Sequence, residues 1–259
     1  MTASLAGRVA LVTGGGRGVG RGISIALAAD GATVAVNYRR DSEAAEETVA
    51  AIEAAGGKAQ AYSASVDDYE QNAEMVAAIE ADNGPIGILV NNAGIASRGQ
   101  SVEQTDPAEL QRVVATHAFG PHYLSKLVIP KMRTLDRGDI VMISSVATRS
   151  LSGFGAPYNM GKTAMEALAY TLAKEERPHG IRVNIVAPGL VDTDMGQRLM
   201  NALQGVDDLR TLDHSMPWGR VCQPNDVANV VKFLVSDANS YLTGERLYCD
   251  GGGQDINRR

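Results

Sequence analysis

The chain of 259 residues is 44% hydrophobic and 21% charged, an ordinary globular balance that excludes a disordered, collagen-like or coiled-coil protein. Thirty acidic against 24 basic residues give a formal net charge of −6, so there is no positive field for a polyphosphate backbone and nucleic acid is not an expected partner. No apolar run approaches the roughly 20 residues that cross a bilayer, residues 1–8 lack a signal-peptide core, and Cys222 and Cys249 form neither a disulfide framework nor a metal-ligand pattern. A cytoplasmic, metal-independent protein without membrane contact is the expectation. No linker, charge block or repeat divides the chain, so residues 1–259 are expected to form a single domain.

Residues 8–13 (RVALVT) read as a buried strand, and a helical stripe at Val19, Ile23, Ala26 and Leu27 follows. Between them lies Thr13-Gly14-Gly15-Gly16-Arg17-Gly18-Val19-Gly20. Glycine lets a backbone turn sharply and approach an anion, and the free N–H groups of a helix start carry partial positive charge. Gly14, Arg17, Gly18, Val19 and Gly20 are therefore candidate pyrophosphate contacts. A strict GxGxxG does not fit this register, and Arg21 and Gly22 stand where a P-loop needs Lys and Ser/Thr, which argues against an ATPase or kinase.

The second strand, residues 33–37, runs into Tyr38, Arg39 and Arg40. A carboxylate at this place would hydrogen-bond a ribose 2′-hydroxyl, whereas guanidinium groups suit a 2′-phosphate. NADP(H) is therefore favoured, with NAD(H) possible; the other reading of Arg39 and Arg40 is a solvated loop. Further along, helical stripes at Ala45, Val49 and Ile52 and at Met75, Val76 and Ile79 alternate with strands at 58–63 and 86–91, the latter ending in Asn91-Asn92-Ala93-Gly94. A strand at 139–144 ends at Ser144 and Ser145, another at 181–186 leads to Pro188-Gly189, and the last lies at 246–249.

Several of these strands are apolar on both faces, which belongs to a parallel sheet, and parallel strands need crossovers. The expected fold is α/β, a doubly wound, mostly parallel Rossmann-type sheet with helices on both faces. Ligands of such sheets bind outside the carboxyl ends of the strands, where the marked strand ends converge. Residues 189–218 show no strand pattern and read as a lid or substrate loop. Met195, Leu199, Met200, Leu203 and Trp218, with a second wall at 151–154, either cover an apolar carbonyl compound or pack only against the protein.

Tyr158 and Lys162 are four residues apart in a helical pattern that runs through Ala164, Leu168 and Leu172, which places phenol and ammonium on one face. A neighbouring cation stabilises a phenolate, so Tyr158 is a candidate general acid and base whose pKa Lys162 is expected to lower. Ser145, presented at the end of a strand, is placed to polarise a carbonyl oxygen.

Taken together, TGxxxGxG at 13–20, NNAG at 91–94, the series Ser145, Tyr158, Lys162, and Pro188-Gly189 resemble the short-chain dehydrogenase/reductase family across essentially the whole chain, above all the single-domain branch that includes 3-oxoacyl-[acyl-carrier-protein] reductases. The resemblance implies a nicotinamide cofactor, a small carbonyl or alcohol substrate and a homotetramer. It implies that Tyr158 gives the proton, Lys162 holds the nicotinamide ribose, Ser145 positions the carbonyl, Asn91, Ala93 and Gly94 support the cofactor, and Pro188, Gly189, Val191 and Thr193 meet the nicotinamide end. Two positions depart from the family pattern. His117 stands where an asparagine commonly holds a proton-relaying water, so it either relays protons itself or packs in a weakened site; Ser65 stands where an aspartate often meets adenine. Two alternatives accompany the carbonyl-reductase reading. One is a carrier-protein-linked reductase docking through Lys131, Arg133, Arg137 and Arg177; the other is a nucleotide-binding regulatory protein with weakened turnover.

Overall fold

The computed structural model describes residues 4–253. Strands β1 (Val9–Val12), β2 (Thr33–Tyr38), β3 (Lys58–Ser63), β4 (Ile86–Asn91), β5 (Gly138–Ile143), β6 (Ile181–Pro188) and β7 (Arg246–Cys249) form one parallel sheet in the order β3-β2-β1-β4-β5-β6-β7. The expected strands are all present, with ends within a residue or two.

Helices α1 (Gly18–Ala29), α2 (Ser42–Ala54), α3 (Tyr69–Asn83), α4 (Pro107–Val114), α5 (Gly120–Met132), α6 (Ala147–Ser150), α7 (Ala156–Glu176), α8 (Asp194–Gln204) and α9 (Pro224–Val235) fill the crossovers. A five-residue π-helical stretch, Ala115–Phe119, joins α4 to α5. Successive strand residues point to opposite faces, so the central strands feed two cores. Ala10, Val12, Ile88 and Val90 pack with Ile23 and Leu27 of α1, Ile52 of α2 and Val231 of α9. Leu11, Leu89, Ile140 and Met142 pack on the other face with Ile79 of α3, Leu124 of α5 and Met165 and Leu172 of α7.

The 189–218 segment is not an irregular loop. Thr193 caps α8 by accepting from Gly196 N at 3.1 Å, Gly205 closes it at φ 66°, and short 3-10 turns follow at Leu209–Ser215 and Pro217–Gly219. Met195, Leu199 and Leu203 recur every four residues along α8 and all three are exposed. An outward apolar stripe has the helical period but not the core-facing side by which a buried helix is recognised.

Candidate active site

The order of strands reverses at β1, whose neighbours are β2 on one side and β4 on the other, so their carboxyl ends open a crevice. Gly14 and Gly18 adopt φ of 59° and 52°, the left-handed region that glycine enters without strain. A Cβ on Gly20 would lie 2.1 Å from the Gly14 carbonyl oxygen, and one on Gly16 would lie 2.9 Å from Ala45 backbone atoms. The turn is thus wound as tightly as backbone alone allows. It is pinned from both sides: Asn37 at the end of β2 accepts from Gly14 N (3.2 Å), and Asn92 beyond β4 donates to the carbonyls of Thr13 (2.9 Å) and Gly14 (3.2 Å). The Thr13 hydroxyl accepts from the backbone N–H of Asn92 and of Ala93, each at 2.9 Å. The bracing roles of Thr13, Asn37 and Asn92 are absent from the sequence reading. Their only signal is their place, polar residues at the ends of three adjacent strands.

Val19 and Gly20 open α1 behind this turn. Arg17 at the helix N-cap position, Arg39 and Arg40 are exposed, and Tyr38 is half-buried. Arg17 lies 3.5 Å from Asp41, which also caps α2 by accepting from Ala44 N. Ser65 is hydrogen-bonded to Asp67, and Asp68 caps α3.

Beyond β5, Ser144 and Ser145 enter the turn to α6, and the Ser145 hydroxyl accepts from Ala147 N at 3.2 Å. Helix α7 brings Tyr158 and Lys162 against this turn. The buried Lys162 ammonium donates to the Ile143 carbonyl at 2.6 Å and lies 5.8 Å from the Tyr158 ring centroid. Burial pushes the lysine down to about 7, opposed by the negative charge of Glu166. The expected lowering of the Tyr158 pKa is not what the structure gives: burial raises it, partly offset by a hydrogen bond with Ser145. Desolvation of the phenol dominates, and burial likewise weakens the lysine's hold on its own proton.

His117 is fully buried in the π-helical stretch. Its Nε2 lies 2.8 Å from the Ile95 carbonyl, Nδ1 has no protein partner, and the ring meets Tyr158 edge-on at 5.1 Å. Gly94 and Gly161 make room for it, since a Cβ on either would come within 2.7 or 2.8 Å of the histidine. Burial, reinforced by the charge of Lys162, pushes its pKa down to about 3, so the imidazole is neutral near pH 7. Asn91, at the end of β4, is buried, with its Nδ2 3.3 Å from Met142 sulfur and its Oδ1 without a protein partner.

From β6, Gly189 N donates to Cys249 O (3.1 Å), and Val191 pairs with Cys222. Thr193 then reaches the glycine turn: its methyl lies 3.2 Å from where a Gly18 Cβ would sit. Gly14 in turn faces Ala93, whose Cα lies 3.3 Å from the Gly14 Cβ position. The sequence-predicted site residues are thereby gathered at one edge of the sheet. Leu151, Phe154, Met195, Leu199, Leu203 and Trp218 are exposed, Trp218 at 85%, while Met200 is half-buried.

The four basic residues considered for carrier docking do not belong to this edge. Lys131 lies in the last turn of α5, Arg133 follows that helix, Arg137 precedes β5 and Arg177 follows α7, which places all four at the amino ends of the strands. Three of them are already paired, Lys131 with Glu80, Arg133 with Glu176 and Arg137 with Asp139. Among the described residues no helix is long and apolar enough to cross a membrane, and no cluster of His, Cys, Asp and Glu is arranged to hold a metal ion.

A family model described as Enoyl-(Acyl carrier protein) reductase matches residues 14–254. An uncharacterized oxidoreductase of Methylorubrum extorquens is 37% identical over 248 residues, spanning 96% of this chain and 98% of that protein. The 3-oxoacyl-[acyl-carrier-protein] reductase of Synechocystis is 36% identical over 253 residues, spanning 97% and 98%. Among solved structures, a short-chain type dehydrogenase/reductase from Mycobacterium marinum aligns with a TM-score of 0.87 at 30% identity, covering 97% of each chain.

Proposed function

Because this chain belongs to the short-chain dehydrogenase/reductase family of oxidoreductases, we propose that it interconverts a carbonyl and a secondary alcohol with NADP(H), using Tyr158 as general acid and base. The observation that carries this reading is the meeting of Ser145, Tyr158 and Lys162 at the same sheet edge as the glycine turn. The turn suits a dinucleotide: left-handed Gly14 and Gly18, and Gly20 packed on the Gly14 carbonyl, bend bare backbone at the start of α1, where Val19 and Gly20 present N–H groups, and Asn91, Ala93, Gly94, Pro188, Gly189, Val191 and Thr193 would complete the site from the neighbouring strand ends. Exposed Arg17, Arg39 and Arg40, with half-buried Tyr38, would face the adenosine end, where paired guanidinium groups suit a 2′-phosphate. A nicotinamide bound there supplies or accepts the hydride.

The chain's own groups then handle the proton. In reduction, the Tyr158 hydroxyl donates at the carbonyl oxygen while the Ser145 hydroxyl orients that oxygen. A raised phenol pKa keeps the proton on Tyr158 until transfer. Lys162, fixed to Ile143 O, supplies positive charge behind the phenolate that donation leaves. His117, neutral and wedged between two glycines, holds the tyrosine ring in place. In this reading the protein is a single-domain, cytoplasmic homotetramer.

Turnover of a panel of ketones and alcohols, followed by absorbance of the reduced nicotinamide, tests the proposal. Tyr158→Phe is expected to lose about 100- to 10,000-fold in kcat, and parental turnover in that variant would remove Tyr158 from the mechanism. Arg39→Ala with Arg40→Ala is expected to raise KM for NADPH by roughly tenfold or more and to leave KM for NADH unchanged; a parent that prefers NADH would refute the assignment of the arginines.

A carrier-linked substrate is the second reading, favoured by relatives such as the Synechocystis reductase. It predicts faster turnover of a carrier-bound 3-oxoacyl group than of its free counterpart, with salt slowing only the former. Tight nucleotide binding without turnover of any carbonyl would instead support a regulatory protein.

A further inference from the structure

Glu166 lies one helical turn beyond Lys162 on α7 and is 4% exposed, yet the mechanism above does not use it. Its two oxygens have separate partners. Oε1 accepts from the Ser144 hydroxyl at 2.5 Å and from the Thr148 hydroxyl at 2.8 Å, while Oε2 accepts from the Arg246 guanidinium of β7 at 2.6 Å. Ser144 and Thr148 bracket Ser145, and the Thr148 hydroxyl, which shares its one proton, also lies 2.9 Å from the Ser145 carbonyl oxygen. One buried carboxylate therefore ties the turn that presents Ser145 to the helix that presents Tyr158 and Lys162.

We propose that Glu166 is a positioning residue of this active site, fixing the Ser145 turn against α7 through Ser144 and Thr148 while Arg246 fixes Glu166 in turn. The assignment of a catalytic effect rests on the carbonyl-reductase reading. A hydrogen-bonded carboxylate has a fixed direction for each lone pair, and Arg246 makes that direction single-valued. Arg246 is itself stacked on Tyr248, 5.0 Å from the ring centroid, and Arg149 lies on the same ring at 4.5 Å. The carboxylate also has a second effect: its charge is what opposes the loss of the Lys162 proton on burial. The charged and titratable groups around Glu166 are Lys162 and Tyr170 on α7, Arg246, Tyr248 and Glu245 on β7 or beside it, while His117 and Tyr158 face Lys162.

Two substitutions separate position from charge. Glu166→Gln keeps the shape and hydrogen-bonding reach but removes the charge; Glu166→Asp keeps the charge but is one methylene too short to reach the hydroxyls. Glu166→Asp is expected to lower kcat roughly 10- to 100-fold, with KM for NADPH within twofold of the parent and the pH profile in place. Glu166→Gln is expected to shift the alkaline limb of kcat to lower pH, because Lys162 then gives up its proton more readily. Hydrogen exchange of the protein without added nucleotide supplies a readout independent of turnover: amides of residues 144–150 are expected to exchange roughly tenfold faster in Glu166→Asp while those of β1 and β4 keep parental rates. Parental kcat and exchange in Glu166→Asp would overturn the proposal, as would equal loss of protection throughout the sheet. If the parent reduces no carbonyl, the functional reading fails, and exchange at 144–150 still decides whether Glu166 holds the turn.

Discussion

His117 shows how far a single side chain departs from its free behaviour. A histidine in water titrates near 6.5, but here burial and the nearby lysine push it to about 3. The unfolded chain therefore takes up this proton first as pH falls. The contribution of the neutral imidazole to stability is intact above pH 6.5 and is lost progressively as pH falls toward 3. Between pH 6.5 and pH 5 the loss is on the order of 1–2 kcal/mol. Urea unfolding at those two pH values should thus show a smaller loss for His117→Gln than for the parent; an identical loss in both would mean that His117 is not the group responsible. The residue type at 117 was readable, and so were its two alternative roles. That Gly94 and Gly161 form its walls was not, because 23 and 44 residues of chain separate these glycines from it.

Helix α8 illustrates the element scale. Its cap, Thr193, also abuts the glycine turn, so the start of the helix is fixed where the site begins. Its apolar stripe is left outward, with Leu199 at 47% and Leu203 at 68% exposure. Exposed side chains contribute little to folding stability but can cover a bound apolar molecule. Leu199→Ser with Leu203→Ser is accordingly expected to leave Tm within about 2 °C and to raise KM for a bulky apolar ketone about fivefold or more, with little change for a small one. Equal effects on both ketones, measured by steady-state kinetics, would remove α8 from substrate selection. The stripe Met195, Leu199, Leu203 is visible in the sequence, yet its helical meaning emerges only when Thr193 and Gly205 are seen as its two ends.

At the scale of the whole molecule, the two edges of the sheet do different work. The candidate site residues gather at the carboxyl ends of the strands, while the amino ends are held by charge pairs: Arg8 and Arg137 both reach buried Asp139, at 2.7 and 2.8 Å, and Arg8 also donates to Val235 O and Gly87 O. Burial raises the Asp139 pKa and the two guanidinium groups oppose the rise. Arg8→Met leaves Asp139 with one partner and two carbonyls without a donor, which should lower stability by about 2–4 kcal/mol with KM values for both substrates unchanged; a large KM effect would show that the edges are coupled. Strand periodicity, the glycine turn and the Tyr158–Lys162 spacing were local, so the sequence alone determined the α/β class, the parallel sheet and most of the residues at its marked edge. What only the tertiary structure decided was which groups share a dielectric environment and which charges meet. Burial pushes the Tyr158 phenol up where its spacing from Lys162 suggests a lowering, and the basic residues 131, 133, 137 and 177 fall at the far edge. Burial and long-range proximity arise from packing between distant segments, and no local pattern carries them.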